Sequence, residues 1–194
     1  MIFDKIRELI YPDPKILINI EQLNEGNAQV VLEENDPGAT LKKVTLKNFD
    51  NSNTVAFKLD VPGKRISNYL NPSAEKINKA CDGIIFTQIE KRYYVFFCEL
   101  KSGKPNEQEC IVKYRNSALF VGYILDIIKE FYHIKVEFHR KYLLFDIKKK
   151  ANKTPTKLRK TQPDILTDSE DGTEIPVYKI HHLTTFFNIR HLQL

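Results

Sequence analysis

Residues 81–104 constrain the fold of this chain more than any other segment, because they form two apolar runs joined by a charged turn. Alternate residues of a β-strand point to opposite faces, and both faces of the second run are apolar. The two faces carry, respectively, Tyr93, Val95 and Phe97, and Tyr94, Phe96 and Cys98. The second run is therefore predicted to be a central strand of a sheet that is covered on both sides.

The few charged residues of this segment gather at one end of the predicted hairpin. Asp82 opens the first run, and Glu99 and Lys101 close the second. A hairpin with a four-residue loop over residues 89–92 places Asp82 opposite Glu99, with Cβ atoms roughly 4.5–5.5 Å apart, where like charges repel. Lys101 lies two residues beyond Glu99 and therefore projects from the same face.

Two neighbouring carboxylates at the end of an apolar strand need a positive charge between them. Lys101 alone could supply it, which would make the trio a structural strand-end pair with a surface lysine. Magnesium is the alternative, since one or two carboxylates commonly hold it while it keeps waters and substrate phosphates. Lys101 would then orient, or help to deprotonate, a metal-bound water, which is equipment for phosphodiester hydrolysis.

The arrangement resembles the PD-(D/E)xK nuclease superfamily, whose pattern is an acid at the start of one strand, Glu-x-Lys at the end of the next, and then a helix. Here these are Asp82, Glu99-Leu100-Lys101 and a helix predicted from Asn106. The resemblance covers about residues 70–147. It implies an α/β fold with a restriction-endonuclease-like core, in which helices flank a mixed central sheet.

The resemblance also implies an activity and a set of ligands. It implies divalent-metal-dependent cleavage of nucleic acid, with Mg²⁺, or alternatively Mn²⁺, held by Asp82, Glu99 and the carbonyl of Leu100. Glu75 is the candidate for the further Glu that some branches place on the preceding helix, although a solvent-facing role is its alternative. DNA is the expected partner, RNA stays open, and a one-site nuclease of this size often forms a homodimer to cut both strands.

A basic segment follows the predicted core. Residues 140–160 contain nine Lys or Arg residues and a single acid, whereas the chain as a whole carries a formal net charge of +5. Such a concentration favours an anionic polymer as partner, and a solvated lysine-rich loop is the alternative. The residues expected to follow a phosphate backbone are Lys148, Lys149, Lys150, Lys153, Lys157 and Lys160.

Periodicity outlines the rest of the chain. A short helix is predicted over residues 1–11, then four strands over 15–23, 27–34, 41–49 and 53–60, and a helix over 73–80 after an Asn71 N-cap. Apolar residues spaced by three and four from Ile111 to Tyr132 predict a long core-packed helix, followed by strands over 134–138 and 142–147. We expect three parts: a β-rich extension (1–70), the nuclease-like core (71–150), and a basic linker with a C-terminal docking segment (151–194).

The composition indicates the cellular compartment and the class of protein to expect. No apolar run approaches the roughly 18 residues of a membrane helix, and the N-terminus has acids among its apolar residues, so a cytoplasmic protein is expected. The odd cysteine count favours buried thiols over disulfides or zinc, and His181, His182 and His191 lack metal-ligand spacing. A Mg²⁺-dependent endodeoxyribonuclease is the leading hypothesis. The alternatives are a non-catalytic nucleic-acid-binding or assembly subunit and a protein-interaction module.

Overall fold

The computed structural model describes residues 1–24, 26–34, 37–64, 66–67, 69–71, 73–74, 76–147, 162–181, 186–192 and 194. These residues form a mixed α/β structure with two sheets. The α-helices are α1 (Ile2–Leu9) and α2 (Glu107–Tyr132). The strands are β1 (Ile20–Asn24), β2 (Asn27–Glu33), β3 (Lys43–Phe49), β4 (Thr54–Phe57), β5 (Gly83–Ile89), β6 (Arg92–Lys101), β7 (Phe138–Asp146), β8 (Asp164–Thr167), β9 (Glu174–His181) and β10 (Phe186–Asn188).

The larger sheet has six strands in the order β4-β5-β6-β7-β9-β8. Strands β4, β5 and β6 pair antiparallel, β6, β7 and β9 pair parallel, and β8 runs antiparallel to β9. The prediction of a mixed sheet with β6 as a central strand is confirmed. Seven consecutive residues of β6 are buried, because both of its faces and both of its edges are covered.

The β5–β6 hairpin has the predicted register but a tighter turn. Gln88 pairs with Tyr93 as expected, and the ladder continues through the pair Ile89 and Arg92. Only two residues remain in the turn, Glu90 and Lys91, and both have positive φ values of 49° and 68°. This left-handed pair matches the twist of the flanking strands, which explains why the two-residue turn replaces the four-residue loop.

Alternation along β6 divides the interior into two cores. Val95 and Phe97 lie in the core that α1 and α2 cover, which we call the helical face. Phe96, Cys98 and Leu100 lie in the core beneath the smaller sheet, which we call the sheet face. The sequence pattern of β6, apolar on both sides, is therefore explained by burial against two separate layers.

The smaller sheet has four strands in the order β1-β2-β3-β10. Strands β1 to β3 pair antiparallel, as predicted for the N-terminal third, while β10 from the C-terminal tail pairs parallel to β3. The fourth N-terminal strand, β4, is instead an edge strand of the six-stranded sheet. Strands β9 and β10, from the C-terminal part of the chain, each join one of the two sheets.

Helix α2 begins as the sequence predicts. The side chain of Asn106 accepts a hydrogen bond from the backbone N–H of Glu109, which is an N-cap contact. Ile111, Tyr114, Val121 and other members of the apolar stripe are buried in the helical face. Core packing, and not a coiled-coil seam, therefore accounts for the stripe.

Two predicted elements are wrong. The described residues of 73–80 form turns, bends and irregular backbone and no helix. Asn71 accepts a hydrogen bond from the Ser73 N–H, which closes a local turn, and Lys76 has a φ of 70°, which interrupts a right-handed helix. Residues 134–137 form no strand, and β7 starts only at Phe138, which pairs with Tyr93.

The cysteines and the helices bear on two predictions made from the composition. Cys81, Cys98 and Cys110 are buried free thiols, as predicted, and burial raises the pKa of each; that of Cys110 is raised to about 12. Among the described residues, no helix has both the length and the apolar character needed to cross a lipid bilayer.

Candidate functional site

The hairpin brings Asp82, Glu99 and Lys101 together at the carboxyl end of β6. Gly83 pairs with Cys98, so Asp82 and Glu99 are the next pair in the register. The Nζ of Lys101 lies 3.0 Å from Oε1 of Glu99, so the two side chains share a face of the sheet as predicted, and this is the helical face. The carboxylates thus meet where a central strand leaves the core.

Lys113 from α2 completes this cluster. Its Nζ lies 2.7 Å from Oε1 of Glu99 and 3.9 Å from Oδ1 of Asp82, so one ammonium lies between the two carboxylates. Asp60, three residues after β4, also lies 3.8 Å from this nitrogen. Three other segments of the chain therefore bring a carboxylate close to Lys113 of α2.

Backbone hydrogen bonding fixes the position of Asp82. Its Oδ2 accepts a hydrogen bond of 2.6 Å from the backbone N–H of Leu100. The side chain of Leu100 packs on the sheet face, so its backbone lies next to Asp82 while its side chain points away from the cluster. The carboxylate of Asp82 is thereby held beside the end of β6.

The site is buried enough to alter the proton affinity of its acids. The side chain of Glu99 is 0% exposed, and its Oε2 has no hydrogen-bond partner among the described residues. Burial raises the pKa of Glu99, although Lys113 and Lys101 oppose the change. Burial, together with the charge of Glu99, raises the pKa of Asp82 to about 7.

The two lysines respond to the same surroundings in the opposite sense. Burial lowers the pKa of Lys113, but the attraction of Glu99 and Asp82 exceeds this effect and leaves the pKa well above its ordinary value. Burial and Glu99 act in the same opposing way on Lys101, whose pKa is also raised. Both side chains are therefore ammonium ions at neutral pH and act as hydrogen-bond donors.

A cleft of ≈ 370 Å³ lies beside this cluster, and Asp82 and Lys113 are among its lining residues. The other lining residues are Glu33, Glu34, Pro37, Lys58, Asp60 and Pro62. Carboxylates outnumber lysines among the lining residues, so the cleft is acidic without a bound cation. An acidic cleft attracts a divalent ion and repels a bare phosphate.

From the sequence, Lys104, Lys113 and Arg115 are expected to be solvated charges, and contacts with phosphates near the site are the alternative. That prediction is wrong for Lys113, whose side chain is only 11% exposed. Its helical position was a usable signal, because Lys113 lies three residues after Cys110 and next to Tyr114 on the buried stripe. Lys104 is exposed, and Arg115 pairs with Asp168 and Asp171 outside the cluster.

Several predicted site residues lie outside the described residues. They are Glu75, Lys148, Lys149, Lys150, Lys153, Lys157 and Lys160. Of the histidines, His181 contacts Asp146, with Nδ1 and Oδ1 2.5 Å apart, at the carboxyl ends of β9 and β7.

The cluster offers oxygen ligands, which are the kind that a hard divalent ion such as Mg²⁺ prefers. Within the described ranges, no group of three or more His, Cys, Asp or Glu side chains is arranged to hold a metal. Mg²⁺ does not require such a group, because it is often held by two carboxylates and otherwise by water and substrate. Asp82 and Glu99 could supply these two carboxylates, and Oε2 of Glu99 has no hydrogen-bond partner among the described residues.

Comparison of the chain with family models, with curated proteins and with solved structures finds no significant match.

Proposed function

We propose that the protein is a divalent-metal-dependent nuclease, with endodeoxyribonuclease activity as its specific form. One observation carries the proposal: the carboxylates of Asp82 and Glu99 lie beside the ammonium groups of Lys101 and Lys113, and Asp82 and Lys113 line an acidic cleft. The order of Asp82, Glu99-Leu100-Lys101 and helix α2 also agrees with the PD-(D/E)xK pattern that the sequence resembles. A restriction-endonuclease-like core is part of the same proposal.

Asp82 and Glu99, with the carbonyl of Leu100, would hold Mg²⁺ or Mn²⁺. The bound ion would supply Lewis acidity and activate water for attack at phosphorus. The backbone N–H of Leu100 already orients Asp82 for this task. Burial of Glu99 keeps its carboxylate in a low-dielectric setting, where attraction to a cation is strong.

Lys101 and Lys113 would act on the substrate as charged donors. Since the pKa of each is raised, neither is suited to accept a proton from water at neutral pH. We assign Lys101 to stabilising negative charge that develops on the phosphoryl oxygens. Lys113 would neutralise the carboxylates before the cation binds and then turn toward the phosphate.

The basic segment would supply the long-range attraction that the acidic cleft lacks. The chain leaves β7 at Asp146, a residue paired with Lys101, at the same edge of the sheet as the cluster. Its lysines, Lys148 to Lys160 in the sequence, are proposed to contact phosphates. Neutralising them should flatten the salt dependence of binding, because fewer counterions would be released.

A second candidate is a non-catalytic nucleic-acid-binding or assembly subunit. Lys113 favours it, because an internal ammonium 2.7 Å from Glu99 already balances the charge without a metal. Buried ion pairs of this kind can be purely structural. Catalytic assays of point variants separate the two candidates.

The test is cleavage of plasmid, linear, single-stranded and branched DNA, and of RNA, with Mg²⁺, with Mn²⁺ and with EDTA. Asp82→Asn and Glu99→Gln should abolish cleavage yet leave nucleic-acid binding intact or tighter, since each removes a negative charge. Lys101→Ala should reduce turnover by about 10²-fold or more. Glu90→Gln, an exposed acid at the far end of the same hairpin, is the matched control and should cleave like the wild type.

Wild-type protein that is inert on every substrate with both ions, but binds nucleic acid with a strong salt dependence, would support the non-catalytic subunit. Protein that neither cleaves nor binds would support the interaction module.

A further inference from the structure

The carboxyl ends of β7 and β9 carry a histidine–aspartate pair next to the candidate site. Nδ1 of His181 lies 2.5 Å from Oδ1 of Asp146, and the two residues are partners in the β7–β9 register. Asp146 is also the register partner of Lys101 on β6. Since neighbouring strands lie about 4.8 Å apart, Asp146 is one strand away from the cluster and His181 is two strands away.

The pair lies on the same face of the sheet as the cluster. Leu144, two residues before Asp146, and Val177, four residues before His181, both belong to the core of the helical face. An even separation along a strand keeps side chains on one face, so Asp146 and His181 are on the helical face as well. The contact with Asp146 directs the ring of His181 toward β7, and therefore toward the cluster.

The burial of the two side chains suits a fixed carboxylate and an accessible ring. The side chain of Asp146 is 9% exposed, whereas that of His181 is 35% exposed. In a neutral imidazole, an Nδ1–H that donates to Asp146 makes Nε2 the nitrogen that accepts a proton. A carboxylate placed in this way sets both the tautomer and the orientation of a histidine base.

The lysines at this edge of the sheet are paired with other acids. The Nζ of Lys179 on β9 donates to Glu107 of α2 at 2.7 Å and lies 3.7 Å from Asp164 of β8. The Nζ of Lys101 on β6 lies 3.0 Å from Glu99, within the cluster. These contacts direct both ammonium groups away from the carboxylate of the pair, which holds the imidazole instead.

The four side chains of the cluster leave one part of the proposed reaction unassigned. Lys101 and Lys113 are ammonium ions at neutral pH, and Asp82 and Glu99 are proposed to hold the metal. Hydrolysis is accelerated when a positioned side chain accepts the proton of the attacking water. Histidine most often has this role, and ligands of α/β sheets commonly bind at the carboxyl ends of the strands, where the pair lies.

We propose that His181 is the general base of the proposed nuclease and that Asp146 is the positioning residue that orients it. This inference rests on the proposed function and adds a catalytic residue outside the acid and Glu-x-Lys pattern. An O–H bond of the attacking water breaks as its proton passes to Nε2 of His181. The new P–O bond forms as the bond to the leaving oxygen breaks. The leaving oxygen takes a proton from solvent, and His181 later releases its own proton to solvent.

The first experiment measures turnover of His181→Ala with Mg²⁺ and with Mn²⁺, without and with added imidazole. Turnover should fall by about 10²-fold or more, the contribution of a general base, and free imidazole should restore part of it by occupying the vacated space. Affinity for DNA in Ca²⁺ and affinity for Mn²⁺ should stay at the wild-type level, because the side chain is proposed to bind neither. Thermal unfolding checks that the fold is retained.

His139→Ala is the matched control. His139 lies on β7 like Asp146, but near the opposite end of that strand, where its ring contacts Tyr94. This variant should cleave like the wild type and should not respond to imidazole.

Nitrogen NMR of the labelled imidazole gives a readout that does not depend on cleavage. In the wild type, neutral His181 should carry its proton on Nδ1. Asp146→Asn, which keeps the shape of the side chain but removes its charge, should lower the population of this tautomer. It should also lower turnover by about tenfold or more.

The outcomes separate this inference from the proposed function. Folded His181→Ala that cleaves like the wild type, a loss that imidazole does not restore, or a wild-type ring protonated on Nε2 would each overturn the inference, while wild-type cleavage would preserve the nuclease. Wild-type protein that is inert with both ions would overturn the nuclease and, with it, the catalytic role of His181.

Discussion

The two faces of the six-stranded sheet differ in what they bury, although the same strands form both. On the sheet face, Tyr94, Phe96, Cys98 and Leu100 of β6 pack among other apolar residues. On the helical face, β6 is equally apolar until Glu99, where the core gives way to the charged cluster.

The two faces therefore contribute differently to the stability of the folded state. Buried apolar side chains stabilise the protein by about 1.5–3 kcal/mol each. Buried charges lose hydration, and replacing such groups with apolar residues is often neutral or stabilising. The sheet face therefore serves stability, and we infer that the cluster on the helical face is kept for function.

The largest expected effects on stability come from one substitution on each face. Phe96→Ala should lower the free energy of unfolding by about 3–5 kcal/mol, because it leaves a cavity among fully buried neighbours. Lys113→Met should cost a similar amount at pH 8 in EDTA, because it leaves two buried carboxylates without their nearest cation. Denaturant unfolding measures both.

Changes of metal concentration or pH should affect the stability of these two variants differently. Mg²⁺ or a pH of 5 should restore much of the stability of Lys113→Met, since each neutralises the carboxylates, and should do nothing specific for Phe96→Ala. If neither condition changes the stability of Lys113→Met, the carboxylates do not destabilise the variant by their charge. The two faces would then not differ in the way described above.

A smaller effect is expected from pH on the wild-type protein. In EDTA, the folded state keeps a proton on Asp82 up to about pH 7, whereas the unfolded chain releases it near the ordinary pKa of 3.8. Raising the pH through this window therefore favours unfolding, because the unfolded chain binds fewer protons than the folded state. The raised pKa of Glu99 acts in the same direction.

Asp82→Asn provides the check on this profile, because it removes the titrating group. Urea unfolding between pH 4 and 8 should show a flatter profile for the variant than for the wild type. Parallel profiles would mean that folding does not raise the pKa of Asp82.

The smallest effect concerns the hairpin turn, far from the cluster. Lys91 has a φ of 68°, a conformation that glycine adopts without strain. Lys91→Gly should therefore raise the midpoint of thermal unfolding slightly, by the equivalent of about 0.5–1 kcal/mol, and leave metal binding unchanged. A lower midpoint would show that the turn does not have this backbone conformation.

The hairpin register and strand β6 could be predicted from the sequence. Residues that alternate between two buried faces appear in the sequence as a continuous apolar run, and its charged ends fix the register. The sequence also predicted helix α2 from Asn106, because an N-cap and an apolar stripe are local signals. These local patterns were sufficient to place Asp82, Glu99 and Lys101 at one edge.

Other features depend on contacts that no local pattern contains. The rotation of α2 on the sheet decides that Lys113 points at Glu99, and the path after β4 brings Asp60 to the same ammonium. The expected helix over 73–80 failed because a local turn at Asn71 and the backbone of Lys76 competed with helical propensity. The site is thus completed by tertiary packing.

Divalent-ion binding to the isolated protein tests the central claim, that Asp82 and Glu99 form a metal site which Lys113 occupies in the absence of metal. Calorimetric titration with Mn²⁺ and Mg²⁺ at pH 8 should show binding to the wild type, a loss of at least about tenfold in Asp82→Asn and Glu99→Gln, and tighter binding in Lys113→Met. Affinity should fall as the pH drops below 7, because the carboxylates must be deprotonated to bind. Equal affinities in the wild type and both carboxylate variants, or no binding to the wild type, would contradict the account.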